Sequence, residues 1–141
     1  MLVLPESHWD RIVAHCLDCL PLEACGLLAG AQDQPGGAGP MAIVRDVFPA
    51  TNAARSARVY TVEPRDLLRA DRAAETAGLA LIGVWHSHTH TPAFPSPTDV
   101  GQAPDPDWHY VLVSLSDVEP VLRSYRIVAG QVTEEPVVLE S

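Results

Sequence analysis

An apolar run that ends in alternating histidines most constrains this chain. Ala80-Leu81-Ile82-Gly83-Val84-Trp85 is continuous, apolar and partly branched, and leads directly into His86-Ser87-His88. Such a run reads as a buried strand. On a strand, side chains at i and i+2 face the same way, so His86 and His88 share one face and Ser87 takes the other. Their Cα atoms stand roughly 6.6 Å apart at ~3.3 Å per residue. From that separation two ring nitrogens can converge on one ion, at about 2.0–2.1 Å each.

The chain then turns back. Thr89 to Pro95 carries two prolines and reads as a rigid loop. Ser96-Pro97-Thr98-Asp99 reads as a helix start, with Ser96 as N-cap and Pro97 at the first helical position. These four residues support two readings. S-x-x-D at a helix entry can be a capping box and nothing more. With two histidines on the other side of one loop, Asp99 completes a three-ligand zinc set. A catalytic zinc needs three protein ligands and a fourth position for water. All the parts lie within fourteen consecutive positions, 86 to 99, which favours the metal.

The bulk composition sets bounds. With 141 residues, 47% hydrophobic and 19% charged, the chain fits one folded domain with a real core, 1–141. Formal net charge is −9 and all nine basic residues are arginine. No basic stripe marks a nucleic-acid partner. The acidity suits either a basic partner surface or plain solubility. The start, MLVLPESHWD, lacks a basic segment followed by a long apolar core, and no run approaches the ~18–20 apolar residues of a membrane span. Three cysteines, an odd number, fit a reducing compartment, so the cytoplasm is expected. Cys16 and Cys19 form a C-x-x-C, but both lie on an apolar helix face with no second pair to complete a zinc site. Nothing in the sequence sets an oligomeric state.

Along the chain, Trp9, Ile12, Val13, Cys16, Leu17 and Leu20 recur at helical spacing and predict a first helix over 5–20, ended by Pro21. Residues 23–30 predict a short buried strand, and 31–40, rich in Gly and Pro, an exposed loop. Two further strands are expected over 41–49 and 58–62, joined by a loop at 52–56. Pro64 opens a second helix, with Leu67, Ala70, Ala74 and Ala77 on one face and Gly78 at its end. After the histidine strand and the Ser96 helix start, Asp105-Pro106-Asp107 breaks the chain. Strands follow over 108–115, 122–128 and 131–139, the last two a hairpin turned at Ala129-Gly130. The sum is an α+β (α/β) domain, a curved mixed sheet flanked by helices.

A metal-bound water needs a base to collect its proton and hand it to the leaving amine. Glu23 is the candidate. It opens an apolar strand, where a carboxylate is costly unless used or paired, and burial raises its pKa toward the range useful for proton transfer. Read from composition alone, a solvent-facing glutamate at a strand edge is equally consistent.

A resemblance separates the two. Pro21-x-Glu23-x-Cys25-Gly26-Leu27-Leu28-x-Gly30, then Gly83-x-Trp85-His86-Ser87-His88, then Pro95-Ser96-x-x-Asp99 resembles the JAMM (MPN-plus) metalloprotease family. The strand over 108–115 is similar to the family's next core strand. The resemblance implies a cytidine-deaminase-like JAMM/MPN fold and a zinc-dependent peptidase or isopeptidase activity. Carried over by position, it implies His86, His88 and Asp99 as zinc ligands and Glu23 as the group that activates water. It implies Ser96 as hydrogen-bond donor to the oxyanion, a role its hydroxyl fills without ionising. No covalent intermediate is needed, which leaves Cys25 as a packing residue. One departure stands out. The residue after the second histidine is usually proline in this family and is Thr89 here. His90 adds a third imidazole, open to ligation, substrate contact or solvent, of which solvent is favoured. His8, His15 and His109 are expected to be structural, and Trp85 and Trp108 core or groove wall.

Family members often cleave bonds at the Gly-Gly tail of a ubiquitin-like protein, bound as an extended strand. The small bacterial type resembles peptidases of sulfur-carrier proteins with that fold. The expected partner is such a carrier, with neither nucleic acid nor membrane involved. Two other classes compete. A non-catalytic MPN scaffold typically loses ligands, and this chain keeps Glu23, His86, His88, Ser96 and Asp99. A small-molecule zinc hydrolase such as a deaminase carries H-x-E…P-C-x-x-C, which is missing here.

Overall fold

The structure is a computed structural model and describes residues 1–31 and 41–141. The elements are β1 (Leu2–Pro5), α1 (Glu6–Asp18), β2 (Cys25–Ala31), β3 (Ala42–Ile43), β4 (Asp46–Ala50) and α2 (Pro64–Thr76), followed by β5 (Leu79–His88), α3 (Pro97–Gln102), β6 (His109–Ser114), β7 (Val121–Val128), β8 (Gln131–Glu135) and β9 (Val137–Glu140). Six strands form a mixed sheet in the order β4-β2-β5-β6-β7-β8. Only β5 and β6 run parallel in it. Three more form a small parallel sheet, β3-β1-β9.

The central strands are buried on both faces, which explains their unbroken apolar runs. Trp85, Val111 and Val113 pack with Ile12 and Cys16 of α1 and with Leu2 and Leu4 of β1. Val84, Tyr110 and Leu112 pack on the opposite face with Ala70 of α2 and Tyr60. The two-residue strand period thus sends Val84 and His86 to the α2 side, and Trp85 to the α1 side. Trp85 fits because residue 26 has no side chain. A Cβ at Gly26 would lie 2.2 Å from the Trp85 ring and 2.6 Å from the Phe48 carbonyl.

The α+β architecture, both long helices, the histidine strand and the Ala129-Gly130 hairpin are as the sequence predicts. Both turn residues have positive φ, 50° and 78°, as the right-handed twist of a two-residue hairpin requires. Several boundaries differ. The first helix is shorter, Glu6–Asp18, with Pro5 as its N-cap, and the four residues before it form β1. The strand expected over 41–49 is two strands in different sheets, because Val44 N–H bonds Val3 while Arg45 N–H bonds Ala29. The strand expected over 131–139 is likewise split, since Pro136 has no N–H to continue the ladder and β9 passes to β1. Residues 58–62 form no strand; among the described residues their sole pairing is one bridge, Asn52 to Val62. The Asn52 side chain takes the Thr61 N–H and the Val59 carbonyl that a ladder would use. On α2, Ala70 and Ala74 are buried, whereas Leu67 and Ala77 are exposed. From residue 32 on, the loop expected over 31–40 lies outside the described residues. No helix among the described residues is long and apolar enough to cross a membrane.

Candidate metal centre and active site

At the end of β5 the strand alternation delivers His86 and His88 to one point. Their Nε2 atoms are 3.3 Å apart. The loop over 89–96 then returns the chain, and Ser96 starts α3 with extended backbone, φ −72° and ψ 164°. One helical turn later Asp99 Oδ2 lies 3.2 Å from His86 Nε2 and 3.0 Å from His88 Nε2. All three residues are buried. The capping box is also present. The Asp99 N–H donates to Ser96 Oγ at 3.1 Å, and the Ser96 N–H donates to Asp99 Oδ2 at 2.9 Å. The two readings of S-x-x-D hold together: the cap is what aims the carboxylate at the imidazoles.

The donor set fits a metal ion. Tetrahedral ligands at about 2.0–2.1 Å from a zinc stand roughly 3.3–3.4 Å from one another, close to the three separations observed. Tautomer supports the fit. His88 Nδ1 donates to the Pro92 carbonyl at 2.9 Å, so the lone pair of the neutral ring sits on the inward Nε2. The His86 ring is held flat against Tyr60, with centroids 4.2 Å apart and planes at 20°.

Electrostatics follow from burial and contact. For His86, burial drives the pKa down, outweighing the Asp99 hydrogen bond, and favours the neutral ring that binds metal. For His88, burial also pulls down, but the hydrogen bonds to Asp99 and Pro92 outweigh it and the pKa rises. Burial works to raise the Asp99 pKa, yet hydrogen bonds from both imidazoles and from the Ser96 N–H hold it well below the usual carboxylate range.

Glu23 stands two residues before β2 rather than on it, in the segment between α1 and the strand. It is 3% exposed. Its Oε1 is buried with no hydrogen-bond partner among the described residues. Burial pushes the carboxyl pKa up to about 7, opposed by the His88 imidazole and aided by the negative Asp99. Glu23, Arg58, His88, Thr89, His90 and Ser96 line one cavity of about 480 Å³. Because Ser96 Oγ already accepts from Asp99, its hydroxyl hydrogen is available to a group in that cavity.

The remaining histidines lie outside the His86-His88-Asp99 group, although His90 lines the cavity beside it. His90 is exposed, and its Nδ1 is 2.8 Å from Thr89 Oγ1. His8 and His15 reach the carbonyls of Arg45 and Ala50, and His109 bonds Glu135 at 2.6 Å. Cys16 and Cys25 are buried free thiols with pKa pushed up to about 12 by burial, which suits packing rather than reactivity.

A family model described as prokaryotic homologs of the JAB domain matches residues 5–128. The chain belongs to this family. Curated relatives agree. A Mycobacterium tuberculosis protein named CysO-cysteine peptidase is 45% identical over 140 residues, covering 97% of this chain and 90% of that one. A Thermus thermophilus protein named probable TtuB-protein conjugate cleaving protease is 35% identical over 104 residues, covering 73% and 64%. A Haloferax volcanii desampylase is 34% identical over 118 residues, covering 80% of each chain. The solution structure of a Desulfitobacterium hafniense protein superposes with a TM-score of 0.88 at 35% identity, covering 99% of this chain and 93% of that one.

Four residues of this JAB domain's site carried no sequence signal of their own. Tyr60 packs on His86 and Pro92 orients His88. Ser87, between the two histidines, turns its hydroxyl away from them to accept the Ala24 N–H at 2.8 Å. Asn52 bonds the Glu23 carbonyl at 3.0 Å. Each acts through a hydrogen bond or ring contact whose partner is remote in sequence or on a loop. The alternation that places Ser87 opposite the imidazoles was the only hint.

Proposed function

We propose that this JAB-domain protein is a zinc-dependent peptidase, the 141 residues acting as one catalytic domain in the cytoplasm. It hydrolyses the amide bond at the C-terminal Gly-Gly tail of a ubiquitin-like or sulfur-carrier protein. The observation that carries this reading is Glu23. Its buried carboxyl, with an unpartnered oxygen, lines the same cavity as His88 and Ser96. Such a group is destabilising for a scaffold and useful for moving a proton near neutral pH.

His86, His88 and Asp99 would hold the ion, and two imidazoles with one carboxylate suit catalytic zinc. When bound, the zinc polarises the scissile carbonyl and makes water acidic enough to ionise near neutral pH. Glu23 takes the proton that water loses as it adds to the carbonyl carbon. The Ser96 hydroxyl donates to the carbonyl oxygen as negative charge builds there. As the C–N bond breaks, Glu23 returns its proton to the leaving nitrogen, so an acid and an amine are released. The groove lined by Leu27, Tyr60, Val62, Leu67 and Trp108 adjoins His86 through Tyr60 and suits an extended tail. The relatives' names, a CysO-cysteine peptidase and a protein-conjugate protease, support a carrier joined by an amide.

The test is a carrier of ubiquitin fold whose Gly-Gly tail is amide-linked to cysteine. Mass spectrometry should show loss of one cysteine residue with zinc-loaded protein and an unchanged mass after chelation. An intact adduct with zinc-loaded protein, and with a lysine-linked conjugate as well, contradicts the reading.

A further inference from the structure

We propose that Asn52 is the positioning residue that fixes the Glu23 proton carrier relative to the metal-binding strand. This rests on the reading of Glu23 given under Proposed function.

Asn52 is buried, and its amide is fully used. The Nδ2 group donates to the Glu23 carbonyl at 3.0 Å, the Val59 carbonyl at 3.0 Å and the Ser56 carbonyl at 3.4 Å. The Oδ1 atom accepts from the Ala54 and Thr61 N–H groups, each at 3.0 Å. Two N–H bonds and two lone pairs are all an amide has, so the long Ser56 contact shares a hydrogen already given to another carbonyl. Asn52 therefore has nothing left for substrate and acts through others.

What it holds is specific. The Glu23 carbonyl goes to Asn52, and the Glu23 N–H donates to the Ser56 carbonyl at 2.8 Å. Both backbone polar groups of Glu23 are thus tied to the 52–56 turn. The next residue is tied to the metal strand instead. Ala24 N–H donates to Ser87 Oγ at 2.8 Å, and Ser87 N–H donates to the Ala24 carbonyl at 3.0 Å. The Glu23-Ala24 backbone is clamped between the strand that bears both imidazoles and the loop that Asn52 organises. At the other end of the side chain, Oε1 has no partner among the described residues. The carboxyl is aimed from its backbone. The Val59 and Thr61 bonds also bracket Tyr60, whose ring lies against His86. One side chain sets both the proton carrier and one wall of the metal centre. A misplacement of ~1 Å at a reacting group can cost on the order of 10²-fold in rate.

The experiment compares Asn52→Ala and Asn52→Asp. Aspartate keeps size and the acceptor for Ala54 and Thr61, but has no N–H for Glu23 and Val59. The readouts are kcat and KM on the cysteine-linked carrier, zinc per chain, melting temperature and amide exchange at Ala54 and Thr61. Both variants should bind one zinc per chain and lose about tenfold to hundredfold in kcat, with KM within about threefold. Asn52→Ala alone should lose amide protection at both positions. The separating measurement is single-turnover rate in the Glu23→Gln background, where Asn52→Asp should add no more than about twofold, because the two act as one unit. Equal fractional losses in both backgrounds, or full kcat in a zinc-loaded Asn52→Asp, overturn the inference. Should Asn52→Ala not fold, Asn52→Asp decides alone. Full turnover by Glu23→Gln contradicts the underlying reading instead, and is a distinct result.

Discussion

The Ser96 N–H donates to Asp99 through the same oxygen, Oδ2, that meets both imidazole nitrogens. The helix cap and the proposed metal ligand share one atom. The cap orders the carboxylate before any ion arrives, so the ligand set is arranged by local backbone chemistry.

Asp99→Asn separates the two duties. Asparagine still offers an oxygen to the Ser96 N–H but brings no negative charge to the ion. Zinc affinity, measured by chelator competition, should fall by at least about 100-fold. Metal-free stability in urea should also fall at neutral pH, because the charge-assisted contacts of the carboxylate with both imidazoles are lost even where the cap survives. Unchanged zinc affinity removes Asp99 from the ligand set.

Gly26 sits where any side chain meets Trp85. A Cβ there would be 2.2 Å from the indole ring. Gly26→Ala should destabilise by about 1–3 kcal/mol, read as a lower urea midpoint at constant slope. Because Trp85 adjoins His86, zinc affinity should fall as well. A midpoint equal to wild type contradicts the close approach.

Glu135 contributes to the pH dependence of the metal-free fold at a point away from the candidate metal centre. It bonds His109 at 2.6 Å and accepts from Ser124 at 2.8 Å. Burial works to raise its pKa, but these two contacts outweigh burial and hold it below the ordinary value. Its folded pKa therefore lies under the unfolded value, roughly 4.3. The stabilisation is complete above that pH and is lost as pH falls through the folded pKa. Glu135→Gln should cost about 2 kcal/mol at neutral pH, with the gap to wild type closing in acid below about pH 4. Urea titrations across that window check it, and a gap that widens in acid would reverse the sign.

How much was legible follows from how far apart the partners sit in sequence. His86, His88, Ser96 and Asp99 lie within one strand, one loop and one helical turn, so alternation and capping rules bring them together. Glu23 lies 63 residues before His86, and composition alone left it undecided between a base and a surface residue. Its burial and unpartnered oxygen exist only in the fold. Asn52 lay in a loop of unassigned shape, and its five bonds depend on a chain path that hydrophobic periodicity does not encode. The same bonds explain why 58–62, apolar enough for a strand, is not one. Strand splits at Val44 and Pro136 were missed because the apolar pattern runs on while the chain changes sheets.

The most direct measurement is kcat for Glu23→Gln with one zinc confirmed per chain, against wild type on the cysteine-linked carrier. Glutamine keeps the shape of the side chain and removes its capacity to carry a proton. Turnover should fall about 10²–10⁴-fold with zinc fully retained. A zinc-loaded Glu23→Gln that cleaves at near wild-type rate would contradict the proposed chemistry.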